Sequence, residues 1–433
     1  LMDRYLLTAS LRYDGSSRLS EGNKWALFPS AAIAWRITEE DFAKNLDWLS
    51  NLKLRFSYGQ AGNTNSVSPY ASEGTISGSV YYPFGTSTSV GNLPANIANP
   101  MLTWERTSEY NVGLDFGFLN QRISGNIEYY NRTTNDLLMK RNIPVHLGYS
   151  SVTSNVGSVR NSGFELQLNT ANIMTKNFAW NTTINLAYNK NEIVSLADEE
   201  DLSNYSIHLQ GMRGRYSDKR FIGKPVDTNW TQNTIGVWQL GEEEEAAKYG
   251  CVPGNFKIKD YNNDGKLTDD DYIIDGKRTP DWTGGMTNMF NIYDFDFSFH
   301  MYFQAGATQY DRFFENFALE WNSQNFNNLR TNYWTPENPS NTMGRPSQMG
   351  SRGNIAYERT DFLKVSYITL GYTLNKRLMS KWGLDNARIY VTVQNPFILT
   401  KFRGLDPEQP DLTNIGDTDG MTMNALLGVN ISF

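Results

Sequence analysis

The sequence lacks the features that mark disulfide-rich and helical membrane proteins. Its 433 residues contain one cysteine, Cys251, which excludes an intrachain disulfide framework. No run of 18 or more apolar residues occurs, so a transmembrane helix is excluded. A strand in a membrane wall, however, shows lipid only every second side chain, and its mean hydropathy stays low. The composition is therefore compatible with a membrane protein built from strands.

Histidine is also scarce, and the sequence carries no signature of a catalytic site. The three histidines, His146, His208 and His300, do not have the spacing of an HExxH or another metal motif. Cys251 has no neighbouring Cys–His signature, and no GxSxG or phosphate-binding glycine loop occurs. We therefore predict no enzyme activity and no catalytic residue.

Basic runs are few as well, and the formal net charge is -7, which argues against nucleic acid as a partner. The first residues, LMDRYLLTASLRY, lack the basic, apolar and small-residue order of a signal peptide. They have a strand pattern instead. We therefore expect the chain to be an internal fragment whose natural N-terminal part lies outside this sequence.

What the sequence has in abundance is alternation of apolar and polar residues with a period of two. Within 295–304, the residues on one face are Phe295, Phe297, Phe299, Met301 and Phe303. Those on the other face are Asp296, Ser298, His300, Tyr302 and Gln304. The same pattern recurs at 52–58, 180–189 and 425–433. Successive side chains of a strand point to opposite faces, so each segment predicts a wall between lipid and a polar lumen.

About 12 such segments occur, most of them near the roughly 9–11 residues that a tilted membrane strand needs. Short connections alternate with long ones, which is the pattern of short periplasmic turns and long outer loops. The long connections span 62–103, 132–156, 190–281, 307–361 and 395–424. The strands are expected to begin near Arg4, Leu27, Leu52, Tyr110, Arg122, Gly157, Phe178, Trp282, Phe295, Phe362, Ala387 and Ala425.

The alternative fold is a soluble β-sandwich, whose strands also alternate. A sandwich buries its apolar face, however, and rarely has five connections of such length. Aromatic residues near the strand ends favour the girdles of a membrane barrel: Tyr13, Trp35, Tyr58, Trp180 and Tyr188. The predicted fold class is therefore all-β, a transmembrane antiparallel β-barrel with long extracellular loops.

Several strings resemble the SusC/RagA family of TonB-dependent outer-membrane transporters, and they occur in that family's order. Among them are NLKLRFSYGQAGN (51–63), NVGSVRNSGFELQLN (155–169) and PGNFKIKDYNNDGKLTDDDYIIDG (253–276). DFLKVSYITLGYTL (361–374) and NARIYVTVQNPFILTKFRGLDPE (386–408) follow. Phe433 closes the last amphipathic strand, which resembles an outer-membrane insertion signal. The resemblance extends over nearly the whole chain.

The resemblance implies a barrel of about 22 strands with a plugged lumen, of which residues 1–433 are the C-terminal part. It implies a Gram-negative outer membrane, a SusD-like lipoprotein lid, and a TonB complex acting through an N-terminal plug that precedes this sequence. The implied substrates are oligosaccharides, with peptides in some members. A non-energised porin or adhesin barrel is the alternative, and it would have neither plug nor TonB contact.

The loop at 190–281 contains a segment with the spacing of a calcium-binding loop. Oxygen ligands at positions 1, 3 and 5, a glycine at 6 and a carboxylate at 12 are what such a loop needs. The alternative is an acidic turn on a solvated loop. We expect one structural Ca²⁺, with ligands from Asp260, Asn262, Asp264, the Lys266 carbonyl, Thr268 and Asp271.

Aromatic side chains of the two longest loops are candidates for substrate contact, because aromatic rings can stack on sugar faces. They are explained equally well as packing within the loops. The candidates are Trp230, Trp238, Trp321 and Trp334.

Overall fold

The computed structural model describes residues 1–143, 148–149, 151–319, 331–346, 351–375, 379, 383–410 and 421–433. Its strands are β1 (Tyr5–Gly15), β2 (Trp25–Arg36), β3 (Leu49–Asn63), β4 (Ile76–Phe84), β5 (Ser87–Pro94), β6 (Glu105–Phe118), β7 (Ile123–Asn135), β8 (Leu138–Asn142), β9 (Ser151–Asn155), β10 (Ser158–Met174), β11 (Phe178–Ser195), β12 (Glu200–Asp201), β13 (Arg213–Arg215), β14 (Arg220–Phe221), β15 (Thr228–Gln232), β16 (Thr234–Val237), β17 (Phe256–Ile258), β18 (Tyr272–Lys277), β19 (Trp282–Ile292), β20 (Phe295–Ala305), β21 (Thr308–Tyr310), β22 (Tyr357–Arg359), β23 (Phe362–Thr373), β24 (Asn386–Thr400) and β25 (Asn424–Ser432).

The helices within the described residues are few and short. They are α1 (Glu243–Lys248) and α2 (Arg312–Phe314), which continues into a π-helical turn at Glu315–Leu319. The 3-10 turns are Ile37–Glu39, Ile207–Leu209, Tyr216–Asp218 and Asp269–Asp271. In the part of the chain that the structure describes, no helix is long and apolar enough to span a membrane.

Twelve strands form one sheet, in the order β1-β2-β3-β6-β7-β10-β11-β19-β20-β23-β24-β25. Every neighbouring pair is antiparallel. The sequence-based prediction of about 12 strands is confirmed. The largest difference is at β6, which begins at Glu105 rather than near Tyr110. Polar residues lengthen this strand at its outer end, where the apolar alternation has already stopped.

The register of the sheet joins the apolar positions of successive strands. Leu54 pairs with Leu114, Leu114 with Ile127, Ile127 with Leu166, and Leu166 with Leu186. A one-residue slip in any pair would move that strand's apolar set to the other face. The apolar residues of successive strands therefore lie on one face of the whole sheet, and the polar residues lie on the other.

The apolar face is exposed, which separates a membrane wall from a sandwich. Ile127 and Leu370, in the middle of the sheet, are 46% and 52% exposed. A soluble sandwich would bury such side chains against a second sheet, and contiguous exposed apolar surface marks an interaction with lipid or protein. The sheet is therefore the wall of a transmembrane β-barrel, with its apolar face toward lipid.

Aromatic rings gather at both ends of the strands on this face. At the outer ends, Tyr58 lies 4.8 Å from Tyr110 between ring centroids, and similar contacts join Tyr13 to Trp25 and Tyr188 to Trp282. At the periplasmic ends, the ring contacts are Trp180–Phe290, Trp48–Phe118 and Phe295–Tyr372. One row of rings near the outer ends of the strands and one near the periplasmic ends are the girdles expected at the two membrane interfaces.

The long connections carry their own small structures. β4–β5, β8–β9, β15–β18, β16–β17 and β21–β22 are two-stranded sheets, and β12–β13–β14 is three-stranded. Apolar clusters stabilise them. One cluster contains Val237, Phe256, Phe314, Trp334 and Met343, and it joins the connection after β11 to the connection after β20. The 190–281 segment therefore shares this core with residues beyond 306.

We predict that charge is tolerated differently at two adjacent positions of β20. Phe299 lies on the lipid face near the middle of the strand, and His300 lies on the polar face, where its Nδ1 is 2.8 Å from the Thr287 hydroxyl. Phe299→Arg should destabilise the barrel by about 2–4 kcal/mol, because the charge enters the bilayer midplane. His300→Arg should cost less, and the measurement is equilibrium unfolding of the full protein in lipid bilayers.

The two variants control for each other, since each adds the same side chain to the same strand. Equal destabilisation at both positions would show that the register or the membrane assignment is wrong.

Candidate functional site

The polar face of the sheet is lined by charged side chains that meet across strands. Arg55 Nη2 lies 2.6 Å from Glu128 Oε1, and Arg55 Nε lies 3.1 Å from Asp115 Oδ1. Lys53 Nζ lies 2.7 Å from Asp115 Oδ2. Although Arg55 and Glu128 are on strands that are not neighbours, they meet because Gly113 of β6 lies between them in the register. A Cβ at Gly113 would lie 2.9 Å from Arg55 Nη2, so the missing side chain makes room for the guanidinium.

A second set repeats this arrangement. Asp296 of β20 pairs with Gly371 of β23 in the register, whereas Arg388 of β24 pairs with Thr373, two residues further along β23. Arg388 reaches across Gly371, and its Nε donates to Asp296 Oδ1 at 2.8 Å. The Arg388 guanidinium also lies 4.8 Å from the Tyr390 ring centroid. These partly exposed ion pairs contribute about 0–1 kcal/mol each, so their main effect is to fix side-chain positions along the lumen wall.

Between the two sets the wall carries a carboxylate that makes no ion pair with any residue that the structure describes. Glu165 is exposed and lies directly opposite Glu128 in the register, and Glu128 is already paired with Arg55. Amides continue this part of the wall at Asn126, Gln167 and Asn185. Like charges on opposite strands repel each other, so this region depends on water or another polar group in the lumen. The wall suits a hydrated path for polar molecules and does not resemble a catalytic centre.

Three of the four predicted loop tryptophans lie among the described residues, and each is buried or partly buried. Trp238 and Trp334 are 3% and 6% exposed, and Trp334 Nε1 donates to Gln239 Oε1 at 2.9 Å. Trp230 is partly buried beside Phe221, with 5.1 Å between ring centroids. Trp321 lies outside the described residues. Substrate contact by these tryptophans stays a prediction, and the burial supports the packing alternative.

The acidic loop at 260–271 has the turn geometry that its sequence predicts. Asn263 and Gly265 have φ of +58° and +78°, as the sharp turn at position 6 requires. Asn262 Oδ1 accepts the Asp264 amide at 3.1 Å, and Asp264 Oδ1 accepts the Lys266 amide at 2.8 Å. These oxygens therefore fold the loop back on itself.

Asp271 closes this loop from the far end. Its Oδ1 accepts the Tyr261 amide at 2.8 Å, its Oδ2 accepts the Thr268 amide at 2.9 Å, and the residue is fully buried. Among the described residues, no three His, Cys, Asp or Glu side chains converge as a metal-ligand set. The carboxylates face backbone amides instead, yet each oxygen of Asp271 accepts one amide and keeps a second lone pair. In donor chemistry and turn geometry the loop fits a hard cation, and calcium stays a prediction.

Asp260 ties the loop to the preceding helix. Burial opposes the charged form, but hydrogen bonds from the Gly265 amide, the Tyr249 hydroxyl and the Asn263 amide outweigh it and lower the pKa of the Asp260 carboxyl. Burial, and the hydrogen bond to Asp260, raise the pKa of Tyr249 to about 12. Asp260 is therefore ionised, and Tyr249 neutral, over the whole physiological pH range.

One outer region that the sequence analysis did not select is rich in exposed aromatic rings. Tyr81, Tyr82 and Phe84 of β4 are 69%, 60% and 66% exposed, and Tyr70 before the strand is 66% exposed. A usable sequence signal exists, because residues 74–104 contain no Asp, Glu, Lys or Arg. This outer segment therefore presents exposed aromatic rings and carries no charged side chain.

Comparison with known proteins agrees with the fold. Residues 1–283 match the family model for the TonB dependent receptor-like β-barrel. Solved structures of RagAB superpose over 99% of the chain: the peptide transporter with a TM-score of 0.77 at 24% identity, and the "closed-closed" peptide importer with 0.75 at 25% identity. The chain covers 46% of each of those structures.

Curated relatives are receptors of the same kind. The chain is 34% identical to the TonB-dependent receptor SusC of Bacteroides thetaiotaomicron and 33% identical to the TonB-dependent receptor P26 of Formosa agariphila, in both cases over its whole length. It covers 42% and 45% of them, less than half of either relative. Their names are those of receptors, not enzymes. The chain therefore belongs to the TonB dependent receptor-like β-barrel family of the Gram-negative outer membrane, in its SusC/RagA branch.

Proposed function

We propose that the full protein imports a large nutrient across the outer membrane with energy from the TonB complex. The observation that carries this proposal is the two-faced wall, which is apolar toward lipid and hydrated and charged toward the lumen. The TonB complex would act through a plug in a part of the protein outside this sequence. A SusD-like lipoprotein would close over the outer loops.

An oligosaccharide is the proposed substrate. The polar wall presents amides, hydroxyls and charges that are mostly paired with one another, which suit a neutral, hydroxyl-rich molecule passing through water. A peptide is the alternative, supported by the similarity to RagAB, which is named a peptide importer. A non-energised porin or adhesin is the third candidate. Uptake that requires energy would distinguish either importer from it.

We predict that uptake of a fluorescent oligosaccharide requires this protein and an energised inner membrane. Deleting the gene, or collapsing the proton gradient, should each reduce uptake to background. The measurement is intracellular fluorescence in the host strain, with a labelled peptide of equal size as the comparison. Uptake that persists without the gradient would favour a porin, and loss of peptide uptake alone would favour the peptide alternative.

We also propose that the outer loops meet the lipoprotein. The connections after β11 and β20 share a core, so removing either would expose the other's apolar residues. Substitutions at single exposed positions are therefore better probes of lipoprotein docking than deletions of whole connections. Leu240 is 58% exposed and lines an open groove with Pro336 and Pro339.

Leu240→Asp should weaken co-purification of the lipoprotein, because a charge would enter an apolar contact. The matched control is Leu119→Asp, at a position that is 51% exposed in a periplasmic turn. Equal co-purification of the wild type and Leu240→Asp would count against docking at this groove, and equal losses in both variants would indicate damage to the barrel.

For the loop at 260–271 we propose one structural Ca²⁺. The ligands would be Asp260, Asn262, Asp264, the Lys266 carbonyl and Asp271, with Thr268 acting directly or through water. Ligand oxygens should lie about 2.3–2.6 Å from the ion. The turn geometry and the oxygen-only donor set support this assignment.

Asp264→Ala should raise protease sensitivity across 240–280 and leave the barrel folded, because one ligand of the ion is lost. Asp270→Ala is the control, since its carboxylate makes no hydrogen bond within the described chain. Fragments are mapped by mass spectrometry with calcium and with a chelator. If the chelator changes the wild-type digestion as little as it changes that of Asp264→Ala, the loop holds no calcium.

A further inference from the structure

Two outer hairpins enclose a cavity. Hairpin β4–β5 and hairpin β8–β9, together with the residues just before β4, surround about 690 Å³. This volume lies within the roughly 300–1,000 Å³ of small-molecule sites. Both hairpins belong to long outer connections, so the cavity lies on the extracellular side of the wall.

The lining of the cavity is nearly uncharged. Of the described residues that line it, only Lys140 carries a charge. Tyr70 and Tyr149 contribute aromatic rings. The hydroxyls of Ser77 and Thr153 also line it, and they make no hydrogen bond within the part of the chain that the structure describes. Rings and unused hydroxyls are thus brought together in one concave site.

The base of the β4–β5 hairpin is held by the Asn96 side chain, whose hydrogen bonds make it unavailable to a ligand. Asn96 Oδ1 accepts the Thr75 amide at 2.8 Å, and Asn96 Nδ2 donates to the Glu73 carbonyl at 2.8 Å. These bonds fix the start of β4 against the end of β5. These hydrogen bonds therefore hold this part of the cavity wall in place whether or not a ligand is bound.

Tyr70 is held in an unusual backbone conformation. Its φ is +65°, in the left-handed region that a bulky residue rarely adopts, and its side chain is 66% exposed. Neither the conformation nor the exposure is explained by packing in the neighbouring core, which instead contains Ala71 and Val67. Backbone strain of this kind occurs in turns and is enriched at ligand-binding sites.

We propose that this cavity is a binding subsite for a neutral oligosaccharide, a proposal that rests on the import function above. A pyranose ring offers an apolar face of C–H groups and an edge of hydroxyls. The two tyrosine rings match the face, and the serine and threonine hydroxyls match the edge. A ligand with several charges would lose hydration without finding enough counter-charges, because Lys140 is the one charged residue among the described residues that line the cavity.

The test uses the full-length protein with its lipoprotein in detergent. A printed array of neutral oligosaccharides identifies the best binder, whose affinity is then measured by calorimetry. Tyr70→Ala and Tyr149→Ala should each weaken binding about tenfold or more, as expected for loss of an aromatic contact. Ser77→Trp, which adds a bulky ring to the lining of the cavity, should block binding.

Two further variants separate binding from folding. Tyr70→Gly removes the ring and relieves the backbone strain, so it should lose binding while the hairpin keeps or gains protection from proteolysis. Tyr333→Ala, at an exposed tyrosine of another loop, should bind like the wild type.

Unchanged affinity in Tyr70→Gly and Ser77→Trp would overturn the subsite and leave the import function standing. If the array yields no binder, and an acetylated and amidated hexapeptide binds in a way that Ser77→Trp abolishes, the sugar assignment is wrong. Energy-dependent uptake tests the import function itself and does not depend on this cavity.

Discussion

The whole structure depends on one constraint: in lipid, each backbone N–H and C=O must be paired within the wall, while side chains alternate between two solvents. Antiparallel strands satisfy the backbone, and a period of two sorts the side chains. The register does the rest, because it aligns Leu54, Leu114, Ile127, Leu166 and Leu186 across five strands. A slip in any one pair would place charge in lipid and leucine in the lumen.

The same register explains how the polar face organises its charges. Arg55 and Glu128, and likewise Asp296 and Arg388, stand two strands apart with a glycine between them. A side chain at that glycine would occupy the place of the guanidinium. The glycines in these strands weaken β-propensity, and in return they let opposite charges pair within the wall instead of protruding into the lumen.

The outer loops solve a different problem. A long connection outside the membrane cannot bury its apolar residues alone, so the connections after β11 and β20 pack against each other around Phe256, Phe314 and Trp334. That packing buries the Trp334 ring, which the sequence suggests as a substrate contact. Tyr70 and Tyr149 lie outside that core and line the cavity between the two hairpins.

The sequence by itself determined the wall: the strand number, the starts of the strands within a few residues, and the face of Phe299 and His300. Each of these follows from the local alternation of apolar and polar residues, which is recognisable without knowing which residues are in contact. It also determined the turn at 260–271, because Asp, Asn and Gly fix a turn locally. Only the tertiary structure decided which loop rings are buried, why Gly113 and Gly371 stand where they do, and that two hairpins enclose a cavity. These depend on contacts between residues far apart in sequence, as between Val237 and Trp334, and no local pattern encodes such a distance.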